Sequence, residues 1–143
     1  KKLPWVFLRD VGFSARRLLG SRGKPDNEHL IAEATLDDLK DEFRKENFRE
    51  GWLLSYHYKG EDGNLSRAEF KHGEVNDFQL HIRLYELEDG RVEIHAHIEP
   101  CPISNPRKHI SGDYLDTPTG IMMVQKMLDD VGIENERKGP GEG

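Results

Sequence analysis

Cysteine is almost absent: Cys101 stands alone among 143 residues, so no disulfide can form within the chain, and a cytoplasmic, reducing setting is expected. Long apolar runs are missing as well. No stretch approaches the roughly eighteen residues of a membrane-spanning helix. Arg9 and Asp10 interrupt the first apolar segment, so neither a membrane span nor a secretory signal is expected. The sequence also lacks a CxxC pair, an HExxH helix and any internal repeat beyond two strand pairs described below. Hydrophobic residues make up 35% and charged residues 34%, which is polar for a globular chain. A chain of this length nevertheless buries roughly two-thirds of its unfolded surface, enough for one α+β core.

Positive charge is scarce in the body and concentrated at the start. Residues 1–24 carry Lys1, Lys2, Arg9, Arg16, Arg17, Arg22 and Lys24 against Asp10 alone, a net of +6, which leaves −12 for the remainder of a chain whose total is −6. An acidic body argues against nucleic-acid affinity spread over the whole surface, while a local basic patch still suits phosphate. Pro4, then Trp5, Leu8, Val11, Ala15 and Leu18 or Leu19, with Gly20 behind them, predict a basic amphipathic helical arm over 1–24. Such an arm suits an acidic protein partner or RNA.

The predicted organisation is this arm, an α+β domain over 28–133 and a disordered tail over 134–143, ENERKGPGEG. Thr35 predicts the N-cap of a helix carrying Leu36, Leu39 and Phe43 on its buried side, ending near Asn47. Asp116 or Thr117, followed by Pro118, predicts the start of a second, with Ile121, Val124, Leu128 and Val131 buried and Gly132 at its end. Between them, Gly51–Lys59 and Leu65–Lys71 alternate around GEDGN, and FQLHIRLYELEDGRVEIHAHIE follows over 78–99. The fold class expected is α+β, a four-stranded antiparallel sheet of two hairpins with helices packed on one face and the His/Arg/Glu face left open. The proline-rich segment after Glu99 predicts a long ordered loop.

The second hairpin dictates the rest. Its apolar residues fall on even numbers (Leu80, Ile82, Leu84, Val92, Ile94, Ala96, Ile98), and its polar residues on odd ones. A two-residue Asp89-Gly90 turn would set apolar side chains against polar ones. A three-residue Glu88-Asp89-Gly90 connection, with Gly90 in the left-handed region, restores the match. That register puts His81 opposite His97, Arg83 opposite His95, Tyr85 opposite Glu93 and Gln79 opposite Glu99. Directly opposed side chains lie about 4.5–5.5 Å apart at Cβ.

Three function classes follow. The leading one is a nucleic-acid-directed protein with a metal-independent ribonuclease site: His81 and His97 as acid and base, Arg83 holding phosphate, Glu99 orienting a histidine and His95 beside them. His57 and Arg67 from the first hairpin, Arg107, Lys108 and His109 from the proline-rich loop, and Arg16 and Arg17 from the arm would bind the RNA. No cofactor is then required. The second is a metal-binding protein or metalloenzyme, with His81, His95, His97 and Glu99 as ligands to zinc or another divalent transition metal. The third is a non-enzymatic module that holds an acidic protein partner through the basic arm.

Overall fold

The computed structural model describes residues 24–50, 60–69, 71–72, 75–76, 78–101 and 115–142. Thr35 caps the first helix, α1 (Leu36–Lys45), its hydroxyl accepting from the Asp38 amide, with Asp37 and Asp38 in the positive first turn. The helix ends where Asn47 takes a φ of 66°. Asp116 caps the second, α2 (Thr117–Asp130), accepting from the Thr119 amide, and Gly132 follows it at φ 77°. No helix among the described residues is long and apolar enough to cross a membrane.

The strands are β1 (His29–Ala32), β2 (Arg49–Glu50), β3 (Gly63–Ala68), β4 (Lys71–His72), β5 (Val75–Asn76), β6 (Phe78–Glu86), β7 (Val92–Pro100) and β8 (Asn135–Lys138). β4 and β5 form a two-residue ladder of their own. The others make one antiparallel sheet in the order β2-β3-β6-β7-β1-β8. The class is α+β, as the sequence implies, but among the described residues the sheet has six strands and not four. β1, β2 and β8 were not expected as strands, and two of them have physical reasons to be inconspicuous. β1 is buried along its whole length, so it shows no alternation. β8, Asn-Glu-Arg-Lys, lies in the stretch expected to be a disordered tail, and it joins the edge through its backbone ladder to β1 rather than through apolar side chains.

The β6–β7 register is the one the parity argument selects, with Gly90 at φ 88° in the connection. Leu80, Ile82, Leu84, Val92, Ile94, Ala96 and Ile98 form the core with Leu39 and Phe43 of α1 and Ile121, Val124 and Leu128 of α2. Each of these leucine, isoleucine, valine and phenylalanine side chains stabilises the fold by about 1.5–3 kcal/mol on full burial. Val131, expected at the end of the α2 stripe, is instead 45% exposed, because the helix has ended before it.

β3 departs from its expected parity. Leu65 pairs with Ile82 and Arg67 with Leu80, so both sit on the apolar face, while Asn64 and Ser66 pair with Arg83 and His81. Arg67 is therefore not part of the histidine face: its guanidinium lies 4.7 Å from the Phe48 ring centroid and donates to the Glu46 carbonyl and to Glu69. The expected arm over 1–24, apart from Lys24, and the expected strand Gly51–Lys59 with His57 lie outside the described residues. So do Arg16 and Arg17, and the loop positions Arg107, Lys108 and His109.

Candidate functional site

Alternation along β6 and β7 sends Gln79, His81, Arg83 and Tyr85, with Glu93, His95, His97 and Glu99, to the side of the sheet away from the helices. β3 adds Asn64. Continuing the β1–β7 register by one residue adds His29 opposite His95. The expectation that this face is open does not hold. His29, Asn64, His81, Arg83, Glu93, His95 and Glu99 are all buried, and Glu61 is fully so. A polar face can be internal when its groups find partners, and here they do.

Two clusters divide the face. In the first, His81 and His97 meet edge to face with ring centroids 5.1 Å apart. Both reach Glu99: His81 Nδ1 lies 3.0 Å from Oε1 and His97 Nε2 lies 3.2 Å from Oε2. Gln79 Nε2 donates to Glu99 Oε1 at 2.7 Å. Behind His81, its Nε2 is 2.7 Å from Asn64 Oδ1, Asn64 Nδ2 donates to Glu61 Oε1, and Arg83 donates to Glu61 Oε2 at 2.7 Å. In the second, His29 and His95 stack at 5.1 Å, with Nε2 atoms 3.4 and 3.0 Å from Glu93 Oε1. Asn27 holds both rings from behind, by its carbonyl at His29 Nδ1 (2.8 Å) and its side-chain oxygen at His95 Nδ1 (2.7 Å). Lys24 Nζ donates to Glu93 Oε2.

Burial sets the charge states. Loss of solvent pushes His81 down to about 4, outweighing Glu99 beside it. His95 is lowered for the same reason despite Glu93. For Glu99, burial works toward a higher pKa but is overcome by the imidazoles of His81 and His97, and the carboxyl is held far below its usual range. Glu93 is likewise drawn down to about 2, with His95 and Lys24 overcoming burial.

Three protein ligand atoms converge in each cluster, His81–His97–Glu99 and His29–Glu93–His95, all within 4.8 Å of one another. Tetrahedral zinc with ligands at about 2.0–2.1 Å spaces its ligand atoms about 3.3–3.5 Å apart; the nitrogen-to-oxygen separations here run from 3.0 to 3.4 Å. Of the residues proposed from sequence, His81, His97 and Glu99 come together, with Arg83 beside them on Glu61. His95 belongs to the other cluster. Sequence reasoning passed over His29, Asn27, Asn64 and Glu61; only an assignment of HLIA as a strand would have shown His29 facing His95. No protein-family model matches the chain, and neither the curated proteins nor the solved structures yield a match.

Proposed function

We propose that the chain binds a divalent transition-metal ion, of the zinc, cobalt(II) or iron(II) class, through His81 Nδ1, His97 Nε2 and Glu99. One observation carries this reading: buried His81 faces an acceptor oxygen at each ring nitrogen, Asn64 at Nε2 and Glu99 at Nδ1. A neutral imidazole has a single N–H. Because Asn64 Nδ2 is turned to Glu61, its oxygen must face His81, and it takes that hydrogen at Nε2. Nδ1 then has no hydrogen for the carboxylate oxygen 3.0 Å away unless the ring takes a second proton, which burial opposes. A cation between the two converts repulsion into ligation. Imidazole and carboxylate suit borderline divalent ions, and an oxygen partner on the far ring nitrogen is how metal-bound histidines are usually fixed.

The RNA-cleaving reading uses the same imidazoles but demands more of them. A general acid must be protonated near the working pH, whereas burial keeps His81 neutral there. Arg83, its phosphate ligand, already pairs with the fully buried Glu61. Both facts favour ligation over proton transfer.

The test is calorimetric titration of Zn²⁺ into untagged, chelator-treated protein. H81Q/H97Q should weaken binding at this site by at least about a hundredfold, and N64A by about ten- to a hundredfold. Unchanged affinity and stoichiometry in H81Q/H97Q would refute the site. RNA cleavage by metal-free protein that is lost in H81A and in H97A would instead establish the nuclease.

A further inference from the structure

We propose that His29, Glu93 and His95 form a second, separate divalent-ion site, to which Lys24 acts as a built-in competing cation. The site stands on β1, on β7 and on the segment Lys24–Asn27 before β1; β7 serves both clusters, with Glu93 and His95 here and His97 and Glu99 in the other, and no ligand residue is common to the two.

Its geometry is argued from one residue, Asn27. A backbone carbonyl can only accept, so the Asn27 carbonyl, 2.8 Å from His29 Nδ1, fixes the hydrogen of His29 on Nδ1. Nε2 of His29 then presents a lone pair toward Glu93 Oε1 at 3.4 Å, and among the described residues it forms no hydrogen bond, with the side chain 4% exposed. His95 meets acceptors on both sides, the Asn27 side-chain oxygen at 2.7 Å and Glu93 Oε1 at 3.0 Å. Two stacked imidazoles thus aim the same nitrogen, Nε2, at one carboxylate oxygen. Ring planes only 25° apart keep those two nitrogens on a common side. Two imidazoles fixed from behind in this way, with one carboxylate oxygen before them, make an ion site of the same borderline class.

The carboxylate divides its work. Oε1 faces the imidazoles, whereas Oε2 accepts from Lys24 Nζ at 2.5 Å. That ammonium, 45% exposed at its side chain, also lies 5.8 Å from the Tyr85 ring centroid. A unit positive charge on the far oxygen balances Glu93 when no ion is bound and opposes a dication arriving at the near one. Lys24 therefore sets the affinity of this site, and ion binding loosens the segment that carries it.

The experiment is equilibrium dialysis of the full chain against Zn²⁺ and Co²⁺ at low ionic strength, with circular dichroism to confirm folding. Wild type should bind two ions. H29Q/H95Q should lose one and keep the other at unchanged affinity, while H81Q/H97Q should lose the other. K24M should tighten the second ion by about tenfold, an effect that shrinks in high salt. Retention of both ions at wild-type affinity in H29Q/H95Q would overturn the inference, as would K24M binding no tighter than wild type. A single ion lost in H29Q/H95Q and kept in H81Q/H97Q would support this site while refuting the His81 site. A single ion showing the opposite pattern would do the reverse. Should H29Q/H95Q fail to fold, the K24M comparison decides.

Discussion

Gly120 lies on the buried side of α2, and a Cβ there would stand 2.6 Å from the His97 Cα, 2.7 Å from its amide nitrogen and 2.9 Å from the Ala96 carbonyl carbon. All three are main-chain atoms of a central strand, so no side-chain rotation can relieve the overlap. Two effects compete when Gly120 becomes alanine. Helix propensity favours alanine by about 1 kcal/mol in a helix interior. Overpacking against a rigid neighbour costs about 1–3 kcal/mol, occasionally more. Restoring ordinary contact requires α2 to retreat from β7 by nearly an ångström, which also loosens Ile121 and Val124 against the sheet, so the clash dominates. G120A should lose about 2 kcal/mol, read as a lower urea midpoint at unchanged slope. At about 2–4 °C per kcal/mol for a chain somewhat longer than this one, the melting temperature should fall by at least 4 °C. Because the displaced helix bears on the backbone of His97, Zn²⁺ affinity at the His81 cluster should fall with it. A G120A protein as stable as wild type would refute the account of how α2 is seated.

Gly90→Ala tests the opposite case. Nothing lies within 4 Å of its would-be Cβ, so the φ of 88° alone should cost about 1–2 kcal/mol; an unchanged urea midpoint would count against the bulged connection. Glu61→Gln withdraws the negative charge from the buried Arg83 guanidinium and should cost about 3 kcal/mol. Equal stability in E61Q would show that this pair does not organise the face. In metal-free protein, His81 titrates at about 4 when folded and near its ordinary 6.5 when unfolded. The unfolded chain thus takes up the proton first, and about 3 kcal/mol, fully present above pH 6.5, is lost as the pH falls to 4. Glu93 and Glu99, lowered in the fold, add to the loss below their ordinary range. Urea midpoints that stay level between pH 7.5 and 5 would contradict the burial of His81.

Sequence legibility followed the physics of each signal. The β6–β7 register was readable because eight residues on each strand, 78–85 and 92–99, alternate and a glycine marks the connection. Thr35 and Asp116 were readable as caps because a short oxygen-bearing side chain before an apolar stripe has few other uses. β1 escaped notice because a four-residue strand buried on both faces carries no period, and His29 escaped with it. Arg67 was placed on the wrong face because parity across β3 depends on pairing partners and not on its own pattern. Alternation also reports that two faces differ without reporting which of them meets water, so the burial of the histidines, with Asn64 and Asn27 as partners, was beyond it.

β1 is zipped between β7 and β8, strands that lie roughly sixty and a hundred residues further along the chain. The sheet therefore closes late. A chain emerging from the ribosome can fold the β6–β7 hairpin by itself, but His29 has no carboxylate to meet until Glu93 has been made, and β1 keeps an unzipped flank until Lys138 is out. Every ligand of both clusters has been made once Glu99 is added, so both could assemble while the β8 flank of β1 is still open.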